Sequence, residues 1–139
     1  MNFIFKLFVK INIAMFRMTN GRMGSSMKGV PILLLTTIGN KSGQPRTVPV
    51  MQIEDGGKRY VIGSMGGAPE DPAWIKNIQK TPEVEVEVRG EKKYRATASL
   101  LNGDERARVY EIAKQRMNNF AQYEKKTTRQ IPVVVLTPV

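Results

Sequence analysis

The sequence predicts a single, mainly β domain that closes as a small mixed barrel behind an N-terminal amphipathic helix. Three observations carry that expectation. The chain has 139 residues, the size of one compact domain. Six short strand signals follow one another with only two internal helices among them. Their order lacks the βαβ alternation that a doubly wound sheet requires.

The opening stretch, Asn2 to Thr19, is rich in Phe, Ile, Leu, Val and Met. Asn2, Lys6, Lys10 and Arg17 share a narrow arc of a helical wheel, and most of the remaining circumference is apolar. No apolar run exceeds four residues, which is too short for a transmembrane span. Charges interrupt the apolar region and no small-residue cleavage site follows, unlike a signal peptide. Such a helix either packs on its own domain or lies in a membrane interface with its cations at the headgroups. Asn20 to Gly29 holds three glycines and two serines and reads as a linker. It separates residues 1–28, the amphipathic helix and linker, from a barrel domain over residues 29–139.

Pro31–Thr37 is a nearly unbroken apolar run that predicts the first barrel strand. Thr47–Ile53 and Arg59–Ser64 flank Glu54-Asp55-Gly56-Gly57, a hairpin signal. Asp71 as N-cap with Pro72 at the first helical position predicts a helix to about Lys80. Val84, Val86 and Val88 alternate with Glu85 and Glu87, as in a half-buried strand, and Tyr94–Leu101 alternates less cleanly. A second helix follows Asn102, with Glu105 placed for a capping box, and continues to about Asn118. Ile131–Leu136, a short β-branched run, supplies the last strand.

Composition excludes much chemistry. With 41% hydrophobic residues the chain can build a core, so it is not disordered. The absence of cysteine removes disulfides, thiol catalysis, zinc fingers and cysteine-ligated iron–sulfur clusters. The absence of histidine removes Ser-His-Asp triads, common zinc and haem sites, and any acid or base whose ordinary pKa is near neutral. No metal site is expected.

The formal charge of +10 and a pI near 10.1 point to a polyanionic partner. Residues 1–53 hold seven cations (Lys6, Lys10, Arg17, Arg22, Lys28, Lys41, Arg46) and no acid; the first carboxylate is Glu54. Of ten aromatics, three are Phe within the first eight residues, and the remainder show no interleaving with basic residues. That argues against nucleic acid.

Two glycine-bearing loops carry the candidate chemistry. In Gly39-Asn40-Lys41-Ser42-Gly43-Gln44-Pro45-Arg46, backbone N–H groups, Lys41, Ser42 and Arg46 could cradle a phosphate; the competing reading is a solvated hairpin turn. Its spacing is not that of a P-loop, and no G-x-G-x-x-G occurs. Gly63-Ser64-Met65-Gly66-Gly67-Ala68-Pro69 ends a strand and lets a ligand approach the backbone closely. Trp74 and Asn77, three apart, share one face of the Asp71 helix, where Trp74 is either a core anchor or a ligand platform.

The runs Leu33-Leu34-Leu35-Thr36-Thr37-Ile38-Gly39-Asn40-Lys41-Ser42-Gly43, then Arg46 and Pro49, Gly63-Ser64-Met65-Gly66-Gly67, Pro72-Ala73-Trp74-Ile75-Lys76-Asn77 and Arg129-Gln130-Ile131-Pro132-Val133-Val134-Val135-Leu136 resemble the deazaflavin (coenzyme F420)-dependent nitroreductase and F420H2-dependent quinone reductase family. The resemblance covers most of the chain from Gly29 onward. It implies a split β-barrel of the FMN-binding type and coenzyme F420, whose tail carries a phosphodiester and glutamate carboxylates. It further implies hydride transfer to a quinone, nitroaromatic or similar acceptor, with menaquinone the suggested acceptor in some members.

Carried over, Asn40, Lys41, Ser42 and Arg46 would hold the phosphate and tail. Thr47, Val48, Pro49, Val50, Met51, Ile62, Gly63, Ser64, Met65, Ala73, Trp74, Ile75, Lys76 and Asn77 would line the deazaflavin. Ser64 and Tyr123 would be the catalytic hydroxyls, with Phe120 and Tyr123 covering the substrate side. Met65 stands where relatives often have lysine, and Phe120 where a tyrosine can occur. The acid-free N-terminal third suits a polyanionic tail. Because hydride chemistry belongs to the cofactor, an enzyme without His or Cys is no paradox. An amphipathic N-terminus suits an acceptor dissolved in a membrane; the expected location is the cytoplasm, peripheral at the inner face of the cell membrane. The alternatives are a split barrel that binds FMN or another flavin, and a non-enzymatic basic module on an anionic membrane surface.

Overall fold

Six antiparallel strands close into a barrel in the computed structural model, which describes residues 3–24, 26–27 and 29–139. The expectations placed on Asn2 and Lys28 lie outside the described residues, as do Met1 and Ser25. The barrel strands are β2 (Val30–Ile38), β3 (Pro45–Asp55), β4 (Lys58–Ile62), β5 (Glu83–Glu87), β6 (Tyr94–Leu100) and β7 (Val133–Pro138). They run in the order β2-β3-β4-β7-β6-β5, and β5 pairs back onto β2 with Leu35 opposite Val86. Closure removes free edges among these six. A two-residue strand, β1 (Ser26–Met27), pairs with the start of β2 inside what the sequence reads as a linker.

Alternation sorts the strand side chains. Leu33 and Leu35 of β2 join Val50, Val61, Val84, Val86, Ala96, Ala98, Val134 and Leu136 in the barrel interior. Helix α2 (Ala73–Lys80) sends Trp74, Ile75 and Ile78 into the same cluster, so it stoppers one end of the barrel. On the outer face, Ile53, Tyr60, Ile62 and Val133 are covered by α3 (Gly103–Arg116) and α4 (Asn119–Lys126) through Val109, Tyr110, Phe120 and Tyr123. Ile32 and Leu34 are covered by α1 (Phe3–Met18) through Phe16 and Ile13. Strand β2 is therefore buried on both faces, which is why it reads as an unbroken apolar run rather than an alternating one.

Helix α1 docks by its C-terminal end. Arg17 Nε and Nη2 form a fork on Glu87 at 3.0 and 2.8 Å, and the Gly90 N–H donates to Asn20 O at 2.9 Å. Toward its N-terminus the helix keeps Phe3 (78% exposed), Ile4 and Phe8 in solvent.

Three local expectations differ. Pro72, in extended backbone, is the capping residue of α2, while Asp71 turns to Arg129 at 2.8 Å instead of capping. Asn102 flanks α3 but makes no side-chain capping bond. The second internal helix ends at Arg116, and a separate α4 follows after Met117 leaves helical geometry at φ −136°. Only Phe120 and Tyr123 of α4 are buried, too few to give a helical period legible from sequence.

The Tyr110 hydroxyl donates to Phe120 O at 2.7 Å, joining α3 to α4 inside the core. Tyr110→Phe removes that bond and should lower unfolding free energy by about 0.5–1.5 kcal/mol in a urea titration at neutral pH. Burial pushes the Tyr110 phenol up. Its stabilising effect is complete below the ordinary phenol value of about 10. Above that value the unfolded chain ionises first, so stability falls as pH rises, less steeply in the Phe variant.

Candidate functional site

The β2–β3 turn and α2 enclose an open cleft of about 320 Å³ at the stoppered end of the barrel. Its lining comprises Thr37, Gly39, Asn40, Lys41, Ser42 and Arg46 from the turn and its flanking strand ends, and Val48 from β3. Ala73, Trp74 and Asn77 of α2 complete it. One buried side chain joins the two walls. Asn77 accepts the Asn40 N–H on Oδ1 at 2.9 Å and donates through Nδ2 to Thr37 Oγ1, also at 2.9 Å. Lys80 Nζ adds a bond to Asn40 O at 2.9 Å.

The turn spends much of its own backbone on itself. Gly39 N–H donates to Gln44 O at 2.9 Å, Gly43 N–H to Gly39 O at 2.9 Å, and Gln44 N–H to Ser42 Oγ at 3.2 Å. With the Asn40 N–H held by Asn77, four N–H groups of the turn are committed within the fold. What remains is cationic. Arg46 sits opposite Thr37 in the β2–β3 register, and Lys41 and Arg46 are exposed. Among the described residues neither forms an ion pair with a carboxylate. Two unpaired cations beside the apolar surface of Trp74 and Val48 suit an anion attached to a flat hydrophobic group.

The second loop follows β4. Gly63 N–H donates to Pro132 O at 2.9 Å, and a Cβ there would lie 2.7 Å from Pro132 Cγ, so only glycine fits. Met65 to Gly67 form a short 3-10 turn in which Met65, at φ +47°, is an exposed non-glycine residue in left-handed backbone. Gly67, at φ +82°, packs so closely on α4 that a Cβ would lie 2.8 Å from Lys126 Cβ. Arg129 binds this loop from behind. Its Nε donates to Ala68 O at 2.8 Å, Nη2 to Ser64 O at 2.8 Å, and Nη1 to Gly63 O at 3.2 Å and Asp71 Oδ1 at 2.8 Å.

The structure thus brings Asn40, Lys41, Ser42, Arg46, Val48, Ala73, Trp74 and Asn77 to one cleft and adds Thr37 and Gly39. Trp74 is both core anchor and cleft wall, only 6% exposed. The other residues carried over from the resemblance lie elsewhere. Val50 and Ile75 are in the barrel interior, and Ile62 faces α3 and α4. Thr47 Oγ1 bonds Thr36 Oγ1 at 2.7 Å. Pro49 lies opposite Leu34, and Met51 packs in the outer layer with Ile32 and Leu34. Lys76 is an exposed residue of α2. Gly63, Ser64 and Met65 form the second loop, where the buried Ser64 hydroxyl lies 3.8 Å from Met51 Sδ. Phe120 and Tyr123 are buried in the α3–α4 layer, their rings edge-to-face at 6.0 Å. Arg129 is the residue that sequence reasoning left without a role. A guanidinium that binds carbonyls more than sixty positions away has no local signature. Among the described residues, no group of three or more acidic, histidine or cysteine side chains could hold a metal ion.

Comparison with known proteins agrees in fold and in sequence. Residues 8–138 match the family described as F420H(2)-dependent quinone reductase. An F420H(2)-dependent quinone reductase of Mycobacterium tuberculosis is 38% identical over 133 residues, covering 93% of this chain and 89% of the relative. The solved structure of an F420-H2 dependent reductase superposes with a TM-score of 0.68 at 40% identity, over 76% of this chain and 93% of that one. A structure described as a domain-swapped dimer superposes at 0.69 with 34% identity, over 91% and 96%. The split-barrel architecture expected from the sequence resemblance is the one observed.

Because Asn77 carries two of the three hydrogen bonds between the cleft walls, Asn77→Ala should lower stability by about 2 kcal/mol in denaturant unfolding, whereas Thr37→Val, which removes one of those two, should cost about half as much.

Proposed function

We infer that this chain, which belongs to the F420H(2)-dependent quinone reductase family, uses reduced coenzyme F420 to reduce a quinone, with nitroaromatics and similar compounds as further acceptors. The observation that carries the reading is the pair Lys41 and Arg46, cations without carboxylate partners on the rim of a cleft walled by Trp74 and Val48. The donor set fits the cofactor. Lys41, Arg46 and the Ser42 hydroxyl match a phosphodiester and carboxylate tail, while Val48, Ala73 and Trp74 offer apolar surface to the ring system.

When bound, the reduced deazaflavin supplies a hydride. The chain's own part is placement. Asn77 and Lys80 hold the cationic turn against α2, so Lys41 and Arg46 meet the tail from a fixed frame. Thr47, Pro49, Val50, Met51, Ile62, Gly63, Ile75 and Lys76 belong to the strands, loop and helix that frame the ring site. Ser64 and Tyr123 act by positioning, Ser64 through the second loop and Tyr123 beside Phe120 on the acceptor side. At 1% and 3% exposure neither hydroxyl exchanges protons directly with bulk solvent, so the product's proton comes from water that reaches the acceptor.

Residues 1–28 serve attachment and residues 29–139 the reaction. Exposed Phe3, Ile4 and Phe8, with Lys6 and Lys10 on a helix that carries no acid, support peripheral binding at the cytoplasmic face of an anionic membrane, where a quinone is dissolved. No described helix is long and apolar enough to cross a membrane.

Titration of the protein with F420, FMN and FAD, followed by Trp74 fluorescence, should give saturable binding with F420 at the lowest concentration. Lys41→Ala and Arg46→Ala should each weaken that binding about tenfold or more, because a charge-assisted contact contributes roughly 1.5–3 kcal/mol. Unchanged affinity in both folded variants would place the cofactor elsewhere. For the membrane reading, the triple change Phe3→Ser, Ile4→Ser, Phe8→Ser should abolish co-sedimentation with anionic vesicles while reduction of a water-soluble quinone continues. Retained vesicle binding would remove α1 from that role.

A further inference from the structure

We propose that Arg129 is a positioning residue for the cleft, fixing residues 63–71 and through them the start of α2, which carries Ala73, Trp74 and Asn77. The inference rests on the cleft being the cofactor site, and goes beyond it in assigning control of that site to a residue outside the cleft lining.

Residues 63–71 leave the barrel after Ile62 and re-enter regular structure at Ala73. Between those points three consecutive residues, Met65, Gly66 and Gly67, stand in left-handed backbone. Besides the Gly63–Pro132 bond, the segment's backbone bonds are two short-range ones, Gly67 N–H to Ser64 O at 2.9 Å and Ala68 N–H to Met65 O at 3.2 Å. A segment so built does not define its own course. Arg129 defines it. One planar guanidinium, its side chain 13% exposed, reaches Gly63 and Ser64 at the first end, Ala68 in the middle and Asp71 at the last.

Asp71 is followed by Pro72, buried with φ fixed at −63°, and then by the first turn of α2. Holding Asp71 therefore sets the direction in which α2 begins. The far end of this eight-residue helix is held independently by Asn77 and Lys80 on Asn40. Trp74 lies between the two clamps. Lysine cannot replace the arginine, because a tetrahedral ammonium does not present several donors in one plane to four acceptors.

Arg129 has a firm base of its own. Two residues on, Ile131 O accepts both Nε and Nη2 of buried Arg106, at 3.0 and 2.6 Å, and Pro132 O accepts Gly63 N–H. The strap that carries Arg129 is thus fixed to α3 and to the loop it controls.

Trp74 is the only tryptophan, so its emission reports α2 in the cofactor-free protein. Arg129→Gln and Arg129→Lys, checked for folding by circular dichroism, should both red-shift Trp74 emission and raise its quenching by acrylamide. Both should weaken F420 binding about tenfold or more. At saturating cofactor kcat should fall less than kcat/KM for the cofactor. Asp71→Asn should shift the same readouts in the same direction by a smaller factor. Adding it to Arg129→Gln should cause no further loss, since the shared contact is already gone. Folded variants with a lower Tm but unchanged emission and affinity would overturn the proposal and leave Arg129 a stabilising residue only. Should Arg129→Gln not fold, Arg129→Lys and Asp71→Asn carry both readouts. If the unaltered protein binds no F420, the cofactor reading fails, and the emission and quenching of Trp74 alone decide the role of Arg129.

Discussion

Residues 63–71 connect a strand to a helix with no sheet partner along their length, so their carbonyl groups must be satisfied from outside the ladder. Arg129 does this with Nε, Nη1 and Nη2, on three carbonyls and one carboxylate. A largely buried cation is tolerated there because the acceptors converge on it and Asp71 offsets its charge. The rest of the cleft depends on this contact. It orients the first turn of α2, and α2 in turn supplies the cleft wall, the barrel stopper and Asn77, which fixes the opposite loop.

Barrel closure supplies the stiffness against which these polar contacts act. With β2 buried on both faces and α3 and α4 covering β3, β4 and β7, the frame has little freedom to absorb a misplaced loop. Arg106 shows the same economy on the far side. Burial pulls its guanidinium below its ordinary value, yet it stays bound to Ile131 O and lies 4.6 Å from the centre of the Tyr110 ring. Two arginines with different targets thus pin one short strap, residues 129–132, between the helical layer and the second loop.

Much of the frame was legible in the sequence because it follows from periodicity and turn chemistry. The hairpin at Gly56–Gly57, the Val84–Val86–Val88 alternation and the stoppering helix all lie close to where local pattern places them. The cleft was legible in part, because Lys41, Arg46, Trp74 and Asn77 sit in runs whose order is itself informative. The roles within it were not. Asn77 reads as a polar residue on a helix face, but its amide is consumed in joining two loops, a fact set by residues 37 and 40 positions away. Asp71 carries a local capping signal and still does not cap, because its carboxylate is held by the Arg129 guanidinium at 2.8 Å as an ion pair as well as a hydrogen bond. Local rules lose where a long-range charge competes with them.

The same competition explains what the large positive charge does. Arg59, Lys93, Arg108, Lys114, Arg116 and Arg129 each meet a carboxylate, and residues 54–139 set twelve acids against fifteen cations, so the second half is nearly balanced in charge. Lys6, Lys10, Lys41 and Arg46 have no such partner among the described residues. Residues 1–53 thus contribute seven of the ten net positive charges, with Lys6 and Lys10 on α1 and Lys41 and Arg46 on the cleft rim among them. Lys and Arg stay charged well above neutral pH, and no His or Cys is present. Attraction at both places accordingly responds to salt, which screens exposed cations, far more than to pH. A protein that works by holding an anionic cofactor needs its cations constant, and lysine and arginine on a rigid barrel provide that where histidine would not.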